Sequence, residues 1–144
     1  MKRWLGLDLG HVRIGVALSD PLGIIAQPIT VLKSAGTQKD IAAIGELVTK
    51  HEVTQVIVGL PLNMDGTESS TTKKVREFTA KLAERLNVPV FFVDERLTSK
   101  QAERVMIEGN VRREKRKEKI DQVAAALLLQ TALNGAVLSE LEKK

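Results

Sequence analysis

The chain has 144 residues, 43% hydrophobic and 28% charged, with 22 Lys+Arg against 18 Asp+Glu for a formal charge of +4. A chain of this length is expected to form one domain over residues 1–144 that buries roughly two thirds of its unfolded surface, and its composition leaves no room for a long disordered tail. The absence of cysteine excludes disulfides, thiolate-bound zinc and thiol catalysis and leaves oxygen-ligated cations such as Mg2+ or Mn2+.

Leu5, Leu7 and Leu9 alternate with Gly6, Asp8 and Gly10, the period of two of a first strand. Ile14, Val16 and Leu18 predict a second strand, ended by Ser19-Asp20-Pro21, and a third runs from Ile24 to Leu32 with Pro28 arguing for a sheet edge. Short connections imply an antiparallel meander. Thr37-x-x-Asp40 resembles a capping box, and Ile41, Ile44, Leu47 and Val48 continue at helical spacing to about Glu52. The apolar run Val56-Ile57-Val58, ending at Gly59, predicts a strand covered on both faces at the sheet's centre.

After a loop from Leu60 to Glu68, a helix from about Ser70 to Leu86 aligns Val75, Phe78, Leu82 and Leu86, and Val88 to Val93 form a fifth strand. Thr98 with Gln101 makes a second capping box for a helix ending near Gly109-Asn110. A basic loop should follow, then a last helix from about Glu118 to Asn134 with a stripe of Ile120, Val123, Ala124 and Leu127, continuing through Leu138 and Leu141. The expectation is an α/β fold whose five-stranded mixed sheet, a three-strand antiparallel meander plus two parallel strands, is flanked by helices.

Asp8 is the most informative residue, an acid interrupting a leucine-rich strand with Gly6 and Gly10 on its own face. The glycines would clear space for a phosphate or hydrated cation, and a buried carboxylate without such a partner is costly. The plainer reading is that Asp8 caps the strand end. Asp94 and Glu95 stand at the end of the fifth strand, the edge where ligands collect in parallel α/β proteins. Neighbouring strand residues face opposite ways, so only one can join Asp8, and spacing does not say which. Asp121 lies beside the stripe of the last helix, with small Ala124 and Ala125 one turn on, although the helix dipole alone favours an acid in a first turn.

RREKRKEK, from Arg112 to Lys119, puts Arg112, Arg113, Lys115, Arg116, Lys117 and Lys119 among only two acids, just ahead of Asp121. Such runs are often solvated surface, but beside candidate metal ligands this excess favours a polyanionic partner. Arg13 after the first strand and Lys100 after the fifth read equally as phosphate contacts or as surface charges, and the helix start at Thr98 and Ser99 offers both caps and amides for a phosphate. His11 is close enough in sequence to line the Asp8 site, but a lone turn histidine is more often polar surface. Aromatics at 3% argue against base-stacking recognition.

Together LGLDLGHVRIGVALSD, VGLPLNMDG, VDERLTS and KIDQVAAALLLQ closely resemble the YqgF/RuvX family of pre-16S rRNA nucleases and Holliday junction resolvases, from Arg3 to about Leu129. The resemblance implies an RNase H-like fold and a metal-dependent, phosphodiester-cleaving hydrolase with Asp8, Glu95 and Asp121 as catalytic and metal-binding residues. It favours Glu95 over Asp94 and marks Gly59 to Asn63 as lining the site, with Asn63 a substrate contact, against the plainer reading that Pro61 and Gly66 merely shape a loop; Gly10, beside Asp8, is a further substrate-contact candidate. It further implies two Mg2+ or Mn2+ ions roughly 4 Å apart sharing Asp8, and products with a 5′ phosphate and a 3′ hydroxyl.

Maturation of the pre-16S rRNA 5′ end is the leading expectation, and resolution of branched DNA, which calls for a homodimer with two active sites, is the alternative. Two other readings compete. Asp8-Leu9-Gly10 with Arg13 and Gly15 looks like the first phosphate loop of the actin and sugar-kinase superfamily, but a single domain lacks the opposing half; a non-catalytic RNA-binding module would use only the basic run. No membrane association is expected, because the run from Val123 to Ser139 falls short of about 20 apolar residues, and Asp8 cuts short any signal-like stretch after Met1-Lys2-Arg3. A cytoplasmic protein is the expectation.

Overall fold

The computed structural model describes residues 3–96, 113–135 and 139–140, with side chains for all of these except 113–122 and 139–140. Strands β1 (Trp4–Leu9), β2 (Arg13–Ser19) and β3 (Ala26–Lys33) form the antiparallel meander. Helix α1 (Thr37–Lys50), strand β4 (Gln55–Leu60), helix α2 (Ser70–Arg85) and strand β5 (Val90–Asp94) follow, with β4 parallel to both β1 and β5. Helix α3 (Arg113–Leu133) and a two-residue strand, β6 (Ser139–Glu140), complete the described elements.

The strand order is β3-β2-β1-β4-β5-β6, so the five expected strands gain a short sixth, antiparallel to β5. Pro28 lies on edge strand β3, where its missing N–H costs no ladder bond to a further strand. The alternation in β1 sorts its side chains between two cores. Leu5 and Leu7, fully buried, join Ile41 and Ile44 of α1 and Val75 and Leu82 of α2. On the other sheet face Ala17, Ile57 and Val93 pack against Ala125, Leu128, Leu129 and Ala132 of α3.

Several local expectations need correction. Helix α1 begins at Thr37 with Gly36 as N-cap and no side-chain cap; Asp40 instead reaches back to accept from Ser34 Oγ at 2.7 Å and Ala35 N at 2.9 Å. A true capping box lies at α2, where Ser69 and Thr72 exchange side-chain and backbone bonds. The basic run is not a loop, since α3 is helical from Arg113 onward. Arg, Lys and Glu are good helix formers, and Glu114 with Lys117 and Lys115 with Glu118 fall at the i, i+3 spacing where opposite charges support a helix.

The buried stripe of α3 is also displaced from the expected one. Ala124 is buried as expected, but Ala125, Leu128 and Leu129 are fully buried while Val123 and Leu127 are only partly so. Nor does α3 continue toward Leu138. Gly135, at φ 97°, takes the left-handed conformation that ends helices, its N–H reaching Ala132 O at 3.1 Å, and residues 139–140 turn back as β6. Leu138, Leu141 and the expected helix after Thr98 lie outside the described residues.

Candidate active site

Register decides which residues share the face covered by α3. Gly6 opposes Ala17, Asp8 opposes Gly15, and the Gly10 N–H reaches Arg13 O at 2.9 Å, so the backbone carries Asp8 and Arg13 to one face at the carboxyl end of β1. In the parallel pair Leu7 lies beside Val58, which puts Gly59 next to Asp8, and Gly59 pairs in turn with Val93. Two residues beyond Val93, Glu95 therefore returns to the same face, its N–H bonded to Leu60 O at 3.3 Å. Asp94, opposite Leu60, goes to the other face and is held by Arg96, whose Nε lies 2.8 Å from Asp94 Oδ2. That guanidinium bond, outweighing a smaller effect of burial, keeps the Asp94 carboxyl below its ordinary range.

Asp8 and Glu95 are both partly buried and hydrogen-bonded through their side chains. Burial above all, then the charge of Asp8, the bond to Asp8 and lastly the charge of Asp94, push the Glu95 carboxyl up to about 8. At neutral pH the Asp8–Glu95 pair therefore holds a proton between its two carboxyls. Two acids forced together in this way hold a proton because they cannot both ionise at ordinary cost.

The glycines contribute differently from what spacing suggested. A Cβ on Gly6 would lie 2.8 Å from Leu129 Cβ and 3.1 Å from Ala125 O, so this glycine admits α3 rather than a phosphate or cation. At Gly10 a Cβ would lie 2.7 Å from Arg13 O, so this glycine serves the tight turn between β1 and β2. Gly59 is the one that makes room for an acid. A Cβ there would run into Glu95 Oε2 and come within 3.0 Å of Leu128 Cδ2. That role is invisible until β4 is paired with β1 and β5.

Asn63 is exposed, and its Nδ2 donates to Thr67 Oγ1 at 2.9 Å within a tight turn that also joins Asn63 N to Thr67 O. Arg96 Nη1 donates to Met64 O at 3.2 Å, tying this turn to the residue after Glu95. His11 is exposed and lines a cleft with Leu9 and Ile14 on the α1–α2 side of the sheet, not the Asp8–Glu95 face.

Asp121 lies in α3 one turn before Ala125 and two turns before Leu128, but its side chain is outside the described residues, as are those of Arg113, Lys115, Arg116, Lys117 and Lys119. Thr98, Ser99 and Arg112 also lie outside the described residues. Gln130, near the far end of α3, bonds Ala26 N and Ile24 O beside the β1 start, so the helix runs back across the sheet with its N-terminal half toward the Asp8 end. Among the described residues, no group of three or more His, Cys, Asp or Glu side chains is placed to hold a metal ion.

Residues 2–135 match the family described as RuvX: Holliday junction resolvase. The chain belongs to the RuvX family. Relatives of this RuvX chain include a protein of Syntrophomonas wolfei, 46% identical over 138 residues, covering 96% of this chain and 98% of the relative. Another, from Caldanaerobacter subterraneus, is 49% identical over 133 residues, covering 92% and 96%. Both carry the name "Putative pre-16S rRNA nuclease".

Among solved structures, RuvC of T. thermophilus in complex with Holliday junction substrate superposes with a TM-score of 0.59 at 18% identity, covering 98% of this chain and 100% of that one. The Fowlpox virus resolvase in complex with Holliday junction DNA gives 0.53 at 17% identity, covering 92% and 97%. These likenesses establish the RNase H-like fold expected for a RuvX protein.

Proposed function

We propose that this protein is a cytoplasmic, divalent-cation-dependent nuclease that hydrolyses nucleic-acid phosphodiesters in 5′-end maturation of pre-16S rRNA, with Asp8, Glu95 and Asp121 as its acidic centre. The observation that carries this reading is the Asp8–Glu95 pair, two carboxyls brought into hydrogen bond at the carboxyl edge of β1, with a glycine at position 59 leaving space for the second. The pre-16S substrate is supported by the names of relatives that match nearly end to end.

The donor set fits a hard cation. Mg2+ and Mn2+ take carboxylate oxygens, and a pair that keeps a proton at neutral pH exchanges it readily for an ion. Asp8 and Glu95 would hold that ion, with Asp121 as a third donor two helical turns from the leucine packed beside Gly59. When bound, it would supply positive charge to the scissile phosphate and lower the pKa of an attacking water.

The chain's own residues do the rest. Arg13, on the face of Asp8, would draw a backbone phosphate toward the pair, and the basic run of Arg112, Arg113, Lys115, Arg116, Lys117 and Lys119 would add positive charge for the same polyanion. Gly10, Asn63, Thr98 and Ser99 would border the path. The side-chain-free backbone of Gly59 leaves the space that Glu95 occupies as it faces Asp8.

A second reading, cleavage of four-way DNA junctions by a homodimer, is supported by the description of the family. Incubating the protein with a 5′-extended 16S rRNA precursor and with a four-way DNA junction, each with Mg2+, Mn2+ or EDTA, separates the readings. Metal-dependent cleavage confined to the precursor is expected. Cleavage confined to the junction transfers the assignment to the DNA reading, and cleavage of neither substrate defeats both.

A further inference from the structure

On the sheet face opposite the acidic pair, a cleft of about 130 Å³ opens beside the same end of β1. Leu9, Val75 and Phe78 form its apolar walls, and Thr71, Lys74 and His11 bring polar groups to it. Ser34 and Asp40 also border it, already bonded to each other at 2.7 Å. Asp8 and Leu9 are consecutive strand residues with side chains on opposite faces, so cleft and acidic pair flank one strand end. A chain crossing that edge with a phosphodiester at Asp8 would bring a neighbouring nucleotide to the cleft's side of the strand.

We infer that this cleft is a subsite for one pyrimidine base of the nucleic-acid strand, next to the bond that is cut. The inference rests on the nuclease reading for its place in the reaction, but its binding chemistry stands on the cleft itself. Size favours a single ring: a protein cavity of about 150 Å³ takes up benzene, and in this half-open cleft the second ring of a purine would project into solvent. Chemistry selects a pyrimidine. The flat ring lies against Leu9, Val75 and Phe78, while the C2 carbonyl shared by cytosine and uracil accepts from the Lys74 ammonium or the Thr71 hydroxyl, donors one helical turn apart on α2.

The binding arm of the test follows backbone amide NMR signals of the full chain during titration with uridine, cytidine and adenosine 5′-monophosphates and with inorganic phosphate. Both pyrimidine nucleotides should move Leu9, Thr71, Lys74 and Val75, the purine should bind at least about tenfold more weakly, and phosphate alone should leave those signals in place. Thr71→Leu, which fills the cleft from a partly buried helix position, should remove the response, and Lys74→Ala, at an exposed one, should weaken it, while the remaining spectrum stays dispersed. The cleavage arm places a pyrimidine or a purine at each position flanking the cut; the wild type should favour a pyrimidine at one position, and Thr71→Leu should lose that preference.

Equal binding of purine, the same shifts with phosphate alone, or an unchanged response in both variants would overturn the subsite. A protein that binds pyrimidines at this cleft but cuts no nucleic acid would retain the cleft and refute the nuclease reading instead.

Discussion

Replacing Glu95 with Gln isolates the cost of ionising an acid against Asp8. The folded pKa of Glu95, about 8, lies above the 4.5 of an ordinary glutamate, so the folded state binds a proton that the unfolded state has released between those values. The associated stability is complete below pH 4.5 and is lost as pH rises through about 8. One proton is worth about 1.4 kcal/mol per pH unit across that window, and solvent reaching the partly exposed pair reduces the total to ~2–3 kcal/mol.

Glu95→Gln keeps the shape and a donor toward Asp8 but cannot ionise. Urea or thermal unfolding of EDTA-treated protein should show the wild type losing ~2–3 kcal/mol relative to the variant between pH 5 and pH 9, roughly 5–10 °C in Tm for a chain of this size. Comparing the two proteins cancels the other titrating groups. Added Mg2+ should restore the wild type at pH 9, by about 2.7 kcal/mol at a hundredfold excess over Kd, and do little at pH 5, where the proton holds the site. Parallel pH profiles for the two proteins, or a wild type that gains on the variant as pH rises, would refute the reasoning.

Gly59→Ala should displace Glu95 and press on Leu128, costing ~1–3 kcal/mol in denaturant unfolding and lowering the cleavage rate out of proportion to the fraction unfolded. Gly6→Ala meets Leu129 Cβ and Ala125 O, which yield less readily than a side-chain tip, so a loss of ~1–3 kcal/mol should appear in unfolding and α3 should exchange amide hydrogens faster. Gln130→Ala removes the bonds to Ala26 N and Ile24 O, and ~1–2 kcal/mol should be lost in urea titrations. Ser69→Ala deletes the N-cap of α2, with a loss of ~1 kcal/mol that Ser69→Thr restores.

Much of this architecture is legible because burial imposes periods on the chain. The alternation of Leu5, Leu7 and Leu9 with Gly6, Asp8 and Gly10 states both β1 and the split between its two cores, and Pro28 marks an edge because proline cannot donate to a ladder. Where two physical preferences compete, the sequence is less transparent. The run after Arg112 is charged enough to pass for a loop, yet its residues are strong helix formers, and α3 takes them in. From Val123 to Leu129, where α3 is apolar all round, periodicity does not choose the buried face; the approach of Ala125 and Leu129 to Gly6 does.

The site itself is legible only in part for the same reason. A strand-end pair such as Asp94-Glu95 is ambiguous by spacing, and resemblance favoured Glu95 before the pairing of β4 with β5 placed it beside Asp8 and left Asp94 to Arg96. Gly59 carries no signal of its own, since its importance lies in the neighbour it spares across two strands. His11 is close to Asp8 along the chain but, past the turn, borders the cleft on the opposite face.

The central claim is that Asp8, with Glu95, forms a cation-dependent cleavage centre. Its most direct test is single-turnover cleavage of a 5′-extended 16S rRNA precursor by the wild type and Asp8→Asn in Mg2+ or Mn2+, with binding of the same RNA measured alongside. Mutating outer partners of metal ligands already costs 10–100-fold, so loss of the shared carboxylate should lower the rate by at least ~100-fold while RNA affinity stays within a few fold. An Asp8→Asn protein that cuts at the wild-type rate, or wild-type cleavage that persists in EDTA, would contradict the account.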